Sequence, residues 1–266
     1  MPIPSPCIGV CTVAADGTCE GCLRTLDEIG RWSMASDAEK LAILDATIER
    51  ATSSKLSIDA IRLHLDSLCK PPGSLGELER LAFELCRIQN TLAPVSSPRR
   101  LVVFAADHGV AVQRVTAWPS DVTSMVVGVM ANQKSASGVM SLACNTDYRV
   151  IDAGCLHPPV VEKDFSHGSR SVFWSHPVAA GTQDLSLGPA MSRTQFHAAW
   201  RVGTAQADAA ADEQYAVVAA GEMGIGNTTS ASCLVTLLTG LPPEQSVGRG
   251  AGVSDEGLAI KREIVS

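Results

Sequence analysis

The segment of the sequence best suited to chemistry is glycine-rich and runs from Gly221 to Thr229 as GEMGIGNTT. It follows an apolar run typical of a strand and precedes a helical pattern that ends near Gly240. At such a turn the backbone N–H groups and the helix dipole attract anions. Its spacing fits neither the dinucleotide fingerprint nor the P-loop, so it predicts a monophosphate site, with a purely structural turn as the alternative. The candidate binding residues are Gly224, Gly226, Asn227, Thr228 and Thr229.

A second glycine-rich segment, GRGAG at 248–252, predicts the other wall of the same pocket. Arg249 and Lys261 offer cationic contacts to a phosphate. Asp255 and Glu256 are expected either to hold ribose hydroxyls or to cap the next helix. For each charge taken alone, a solvated surface position is the competing interpretation. The candidates from this segment are Gly248, Arg249, Gly250 and Lys261.

An aspartate–histidine pair, Asp107 and His108, stands directly after another apolar run. Both are candidate substrate-binding residues because side chains at the end of a parallel strand reach ligands. The pair is consistent with a proton relay and equally with a structural cap. The sequence contains no nucleophile elbow, no metalloprotease helix motif and no kinase motif, which disfavours those reaction classes.

Four of the nine cysteines fall within the first 22 residues, as Cys7, Cys11, Cys19 and Cys22. Two closely spaced pairs supply four thiolates, which suits tetrahedral zinc or an iron–sulfur cluster. The alternative is a set of small buried apolar side chains. An odd cysteine count argues against a disulfide framework.

The elements that must position these residues alternate between helices and strands. The capping boxes at Thr25 to Glu28 and Ser36 to Glu39 each predict a helix start, and residues 52–55 are typical of a linker. Helical spacing begins at Ile58, and Ser74 is expected to cap a further helix. Short apolar runs at 101–106, 148–152, 171–174 and 215–220 predict buried parallel strands. We therefore expect an α/β fold with a parallel Rossmann-like sheet flanked by helices, preceded by a small Cys-rich helical head.

The composition restricts the function classes. With 45% apolar residues and a net charge of −7, the chain lacks the basic footprint of a nucleic-acid-binding protein. It has no apolar run long enough to span a bilayer, and its first ten residues do not resemble a secretion signal, so we expect a cytoplasmic protein.

The glycine-rich body resembles the nicotinate-nucleotide–dimethylbenzimidazole phosphoribosyltransferase family. The resemblance covers residues 56–266 and is carried by 70–76, 103–110, 181–182, 188–191, 221–229 and 248–261. The head, residues 5–45, resembles a family of Cys-rich bacterial domains of unknown function. We accordingly expect two domains, a Cys-rich metal-binding domain over 1–50 and a phosphoribosyltransferase domain over 56–266.

The resemblance implies a cytoplasmic homodimer that acts late in cobalamin synthesis. Such a glycosyltransferase moves the ribose phosphate of nicotinate mononucleotide to dimethylbenzimidazole, giving α-ribazole phosphate and nicotinate, without a catalytic cofactor. By similarity, the two glycine-rich loops and Lys261 hold the phosphate and ribose, and Glu222 is an auxiliary catalytic group at the reacting centre.

Three departures from the family pattern qualify this expectation. The family continues beyond Ser266, and its principal catalytic base lies in that continuation, so we expect the chain to be incomplete at its C-terminus. The stretches 117–119 and 131–137 differ near the expected benzimidazole pocket, which leaves the preferred base open. The head is an addition to the usual architecture. The alternative function is a catalytically silent nucleotide-binding protein whose metal-bound head recruits a partner.

Overall fold

The computed structural model describes residues 3–9, 11–14, 16–53, 56–161 and 172–266. The chain divides into two compact units, residues 1–95 and 96–266. The domain boundary expected near residue 50 stays a prediction. Within the described ranges, no helix combines the length and apolar character needed to cross a bilayer.

The first unit is a small hairpin followed by helices. Val13 pairs with Cys19 in an antiparallel bridge. Both predicted capping boxes form: the Thr25 and Ser36 hydroxyls accept the N–H groups of Glu28 and Glu39, whose carboxylates accept in return. The helices are α1 (Leu26–Arg31), α2 (Asp37–Ser53), α3 (Ile58–Ser67) and α4 (Glu77–Gln89). Because α2 reaches Ser53, half of the expected linker 52–55 is helical, and residues 54–55 lie outside the described part.

The start of α4 differs from the sequence expectation, which placed its cap at Ser74. The N-cap is Gly76, and it makes no side-chain capping bond. Glu79 holds the preceding turn instead, since its carboxylate accepts the N–H groups of Gly73 and Leu75 at 3.2 and 3.0 Å. Lys70 pairs with the same carboxylate at 3.1 Å. The lysine-bearing turn is therefore tied to the first turn of α4.

The second unit is an α/β layer built on a four-stranded parallel sheet, as predicted. The strands are β1 (Arg99–Ala106), β2 (Thr146–Gly154), β3 (Phe173–Ser175) and β4 (Val217–Met223), in the order β3-β2-β1-β4. The first residue of the run expected at 171–174 lies outside the described residues. The helices are α5 (Asp121–Ala131), α6 (Ala136–Ala143), α7 (Arg193–Asp212), α8 (Asn227–Thr239), α9 (Pro243–Ser246) and α10 (Asp255–Val265).

The core of this unit lies around the central strands. Val103, Val127 and Val150 are each less than 5% exposed and pack in one cluster. The expectation that all four strands are buried is wrong for both edge strands: Val218 of β4 is 48% exposed, and none of the three residues of β3 is buried. The physical reason is position: β4 pairs only with β1 and forms one edge of the sheet. Alternation of helix and strand predicts a strand but not its place in the sheet.

Candidate functional site

The predicted site residues of the second unit meet where β1 and β4 end. Phe104 of β1 is in register with Glu222 of β4, so the loops after both strands leave the same edge of the sheet. The contact is tight at Gly224, where an added Cβ would lie 2.1 Å from the carbonyl oxygen of Ala106 and 2.9 Å from the His108 ring. Only glycine lets the two loops approach this closely.

The first glycine-rich loop uses most of its N–H groups to hold its own shape. The N–H groups of Asn227 and Thr229 donate to the carbonyls of Gly224 and Gly226 at 3.1 and 3.0 Å. The Thr228 N–H donates to the Asn227 side-chain oxygen at 2.7 Å. The predicted helix start at this loop is confirmed, with Gly226 as the N-cap of α8 at φ +90°. The loop therefore supplies a rigid wall and a helix dipole more than free amides.

Lys261 links the two glycine-rich loops. Its side chain is fully buried, and its ammonium donates to Thr228 Oγ1 at 2.6 Å and to the carbonyl oxygen of Gly248 at 3.0 Å. Burial lowers the pKa of Lys261 below its usual value. A cation held between two loops without a carboxylate partner among these contacts favours an anion close by. The structure therefore brings the two glycine-rich loops together at Lys261, while the expectation that they form two walls of one pocket stays a prediction.

The second loop carries exposed amides, unlike the buried glycines Gly224 and Gly226 of the first loop. Within the described residues, the N–H groups of Gly250 and Ala251 donate no hydrogen bond, and both residues are exposed. Gly250 has φ +54°, and an added Cβ there would lie 2.8 Å from Thr228 Oγ1. Arg249 pairs with Asp255 and donates to the Val253 carbonyl at 3.0 Å, so its charge is partly used within the loop.

The two carboxylates expected to hold ribose or cap α10 do not form the cap. Ser254 caps α10, its hydroxyl accepting the Gly257 N–H at 3.2 Å. Asp255 lies in the first turn of α10 and contacts Arg249, and Glu256 is exposed beside it.

Glu222 lies near the end of β4, where the first glycine-rich loop begins. It is exposed, and both of its carboxylate oxygens accept hydrogen bonds from the Asn227 side-chain amide. The same Asn227 holds the Thr228 N–H through its oxygen. Asn227 therefore fixes the carboxylate of Glu222 relative to the start of α8, where Thr228 contacts Lys261.

Asp107 and His108 point to different partners, which excludes direct coupling between their side chains in this geometry. One oxygen of the buried Asp107 carboxylate accepts the Leu156 N–H at 2.8 Å, while the other has no partner among the described residues. His108 Nδ1 lies 3.1 Å from Ser230 Oγ on α8. Burial lowers the pKa of His108 against the opposing charges of Glu222 and Asp107, so the imidazole is neutral at physiological pH.

Sequence reasoning missed three side chains that shape the site. Thr123 of α5 is fully buried, and its hydroxyl accepts the Ile225 N–H at 3.1 Å. Ser230 holds His108, and Thr182 accepts the Gly109 N–H at 3.2 Å through its hydroxyl. A single hydroxyl residue leaves no recognisable pattern in the sequence. Of the three, only Thr182 lies in a stretch that carries the family resemblance, residues 181–182.

The cysteines of the head are only partly gathered. Cys19 and Cys22 are buried, whereas Cys7 and Cys11 are exposed. Burial alone would raise the pKa of the Cys22 thiol, but hydrogen bonds from Arg24 and Cys19 lower it overall. Among the described residues, no three cysteine, histidine or acidic side chains are arranged around a common metal position. The predicted four-cysteine ligand set stays a prediction.

Comparison with known proteins finds a family model that matches each part of the chain. A phosphoribosyltransferase family model matches residues 51–266, and a model described as a protein of unknown function (DUF1289) matches residues 5–51. Two relatives, each named nicotinate-nucleotide–dimethylbenzimidazole phosphoribosyltransferase, come from Solidesulfovibrio magneticus and Chromobacterium violaceum. They are 38% and 40% identical over 205 and 207 residues, covering 77% and 78% of this chain and 56% and 58% of theirs.

Solved structures agree with this assignment. The crystal structure of CobT from Thermus thermophilus is similar at a TM-score of 0.68 and 38% identity, covering 78% of this chain and 60% of that chain. The chain thus spans less than two thirds of the length of these relatives. With a family model matched over 51–266, the chain belongs to the phosphoribosyltransferase family.

Proposed function

We propose that the second unit binds nicotinate mononucleotide and transfers its ribose phosphate to dimethylbenzimidazole, giving α-ribazole phosphate and nicotinate. The relatives' names and the family match support this reaction. In the transfer, the bond from the anomeric carbon to the nicotinate nitrogen breaks, and its electron pair leaves with nicotinate. A benzimidazole nitrogen attacks that carbon from the opposite face, and the ring loses its N–H proton to a base.

The observation that carries the proposal is the buried ammonium of Lys261 between the two glycine-rich loops. A phosphate placed over the exposed amides of Gly250 and Ala251 would meet two N–H donors and this charge together. The N-terminus of α8 adds its dipole from the other wall. A ribose attached to that phosphate then faces the end of β4, where Glu222 lies.

Glu222 is the auxiliary acidic group in this proposal. Its carboxylate, fixed by Asn227, is suited to stabilising positive charge that develops on the ribose as nicotinate departs. The neutral His108, held by Ser230 and packed against Gly224, is suited to a positioning role without adding a competing charge.

The test uses the purified chain supplied with nicotinate mononucleotide and dimethylbenzimidazole. Nicotinate and α-ribazole phosphate are quantified by chromatography, and nucleotide binding is measured separately by titration calorimetry. We expect saturable binding that Lys261→Met weakens by about tenfold or more, because a charge-assisted contact to phosphate is lost. Lys40→Met, on a helix of the first unit, is the matched control and should bind like the parent chain.

Catalysis is tested with Glu222→Gln, which keeps the shape of the side chain and removes its charge. Turnover should fall by about 100-fold, within the range for loss of a catalytic carboxylate, while nucleotide binding stays close to that of the parent chain. Glu244→Gln, an exposed carboxylate of α9, is the control. Full turnover by Glu222→Gln removes Glu222 from the mechanism. A folded chain that does not bind the nucleotide contradicts the whole proposal, and binding without nicotinate release supports the silent nucleotide-binding alternative.

We also propose that the protein acts as a cytoplasmic homodimer, as the family resemblance implies. Exposed apolar side chains on α8 support a contact between subunits through this helix. Leu234, Leu237 and Leu238 are 59%, 80% and 83% exposed. Light scattering coupled to size exclusion measures the mass in solution. A monomer at micromolar concentration contradicts the dimer.

A further inference from the structure

The head contains a group of four cysteines, Cys7, Cys11, Cys19 and Cys22, that the phosphoribosyl transfer does not use. We propose that their four thiolates bind one Zn²⁺ ion in a tetrahedral structural site. The proposal concerns the first unit only and does not depend on the function proposed for the second. Cys19 and Cys22 form a buried pair, whereas Cys7 and Cys11 are exposed, so among the described residues the four thiols are not yet gathered around one metal position.

Cys19 and Cys22 form the organised half of the site. They lie on a tight turn closed by a hydrogen bond from the Leu23 N–H to the Cys19 carbonyl at 2.7 Å, with Leu23 in the left-handed region at φ +57°. The Cys19 N–H donates to the Arg24 carbonyl at 2.8 Å. Both cysteines are buried, at 3% and 8% exposure. A two-residue spacing on such a turn is the usual form of a cysteine pair at a zinc site.

Arg24 places a positive charge next to this half-site. Its Nε donates to the Cys22 sulfur at 3.3 Å, and its guanidinium stacks over Trp32 at 4.9 Å from the ring centroid. Arg24 is only 3% exposed, so its charge needs a compensating anion nearby. Four thiolates around Zn²⁺ carry a net charge of about −2, and a buried guanidinium is the kind of outer-shell donor that stabilises metal-bound thiolates.

Cys11 is placed by the hairpin register. Val13 pairs with Cys19, and the Glu20 N–H donates to the Thr12 carbonyl at 2.9 Å. Cys11 directly precedes Thr12 and Cys22 follows Glu20 by two residues, so this bond holds together the two chain segments that carry them.

Cys7 is connected through Ser5. The Ser5 hydroxyl oxygen accepts the Cys7 N–H at 3.4 Å and an Arg24 Nη2 hydrogen at 3.3 Å. The same guanidinium therefore contacts both Cys22 and the turn that carries Cys7. Because Cys7 and Cys11 are exposed while Cys19 and Cys22 are buried, ion binding would draw the first pair inward onto the second.

Binding follows a balanced exchange in which the cysteines that are protonated lose their thiol protons to the solvent as the sulfur–zinc bonds form. No redox partner is needed, since Zn²⁺ does not change oxidation state. We propose zinc because Zn²⁺ alone completes a four-thiolate site, whereas an iron–sulfur cluster also needs iron and sulfide to be supplied.

The experiment uses the full 266-residue chain, purified under reducing conditions, with Zn²⁺ and Co²⁺ as probes. Elemental analysis should give one zinc per chain, and a competing chromophoric chelator gives the affinity. Co²⁺ in place of zinc should show thiolate-to-metal charge transfer and the visible bands of tetrahedral coordination. Thiol titration should find four fewer reactive cysteines when zinc is bound.

Variants then assign the ligands. Replacing any one of the four cysteines by serine should lower zinc affinity by at least 100-fold and change the Co²⁺ spectrum. Cys69→Ser, an exposed cysteine of the same unit, is the matched control and should keep parental affinity. Arg24→Gln should weaken binding by about 10-fold to 100-fold, as expected for an outer-shell contact. Parental affinity in Cys7→Ser and Cys11→Ser, no zinc binding by a folded chain, or iron with visible cluster absorbance would each overturn the proposal.

Discussion

Replacing Gly224 by alanine should loosen the site and destabilise the second unit. The new methyl carbon would lie 2.1 Å from the Ala106 carbonyl oxygen, and at least 3.0 Å is needed. The two loops must therefore separate by about 0.9 Å, measured from 2.1 to 3.0 Å, and such forced separation in a packed region costs about 1–3 kcal/mol. The neighbouring atoms are backbone and a half-buried imidazole held by Ser230, neither of which can simply swing away.

Two further contributions change this loss in the free energy of unfolding. Moving the loop weakens the hydrogen bond from the Ile225 N–H to Thr123, which contributes about 0.5–1.5 kcal/mol. Alanine also reduces the conformational freedom of the unfolded chain, which offsets about 0.4–1 kcal/mol of the loss in stability. We expect a net loss of about 0.5–4 kcal/mol, centred near 2 kcal/mol, in the free energy of unfolding, which lowers the melting temperature of a unit of this size by about 1–16 °C.

Urea unfolding followed by tryptophan fluorescence measures this loss, because Trp118, Trp174 and Trp200 report on the second unit. The matched control is Gly203→Ala on α7, where an added Cβ meets nothing within 4 Å. That change should stabilise by about 0.5–1 kcal/mol through helix propensity. Opposite signs for the two variants confirm the reasoning. A Gly224→Ala chain as stable as the parent, with unchanged nucleotide binding, would refute it.

Three other changes test the electrostatics. Arg100→Met should cost about 3 kcal/mol in the free energy of unfolding, because it removes a fully buried guanidinium 2.6 Å from Asp147 and leaves that carboxylate with the longer 3.4 Å contact to Arg149. As the pH falls below 6.5, the second unit should lose stability, since His108 is protonated in the unfolded chain while burial keeps the folded imidazole neutral. His108→Asn should reduce the dependence of the unfolding free energy on pH, measured by urea titrations. Glu28→Gln should destabilise the first unit at neutral pH but not in acid. The hydrogen bonds from Arg50 lower the pKa of Glu28, so the ion pair stabilises the folded state above pH 4.5. This stabilisation is lost as the pH falls through the lowered pKa.

Each of these predictions has a clear contrary result. A melting temperature unchanged by Arg100→Met would mean that Arg149, 2.9 Å from Glu213, carries the network alone. Equal pH slopes in the parent and His108→Asn chains would contradict a depressed pKa for that histidine. A loss in Glu28→Gln that persists at pH values well below the lowered pKa of Glu28 would contradict the ion pair as its cause and assign the effect to disturbed packing or hydrogen bonding at the capping box.

Much of the fold could be predicted from local patterns. The capping boxes at Thr25 and Ser36 place α1 and α2 to within a residue, because the pattern encodes the hydrogen bonds themselves. Apolar runs locate all four strands approximately, and Gly240 ends α8 as expected. The cap of α4 was misplaced because Glu79, which lies inside the helix, reaches back to the turn. Long side chains that act at a distance leave no local signal.

Sequence patterns pointed to most of the candidate residues: two glycine-rich loops, a lysine and a carboxylate, in an order that also carries the family resemblance. Their mutual contacts, and the hydroxyls of Thr123 and Ser230, depend on how distant elements pack. Lys261 lies 33 positions beyond Thr228 in the chain, and only the packing of α10 against α8 brings its ammonium between the loops. The exposed amides without a partner among the described residues lie on the second loop, at Gly250 and Ala251, whereas the first loop buries Gly224 and Gly226 and bonds the N–H groups of the residues that follow them. Local patterns fix backbone conformation, whereas the partners of buried polar groups depend on contacts between distant elements.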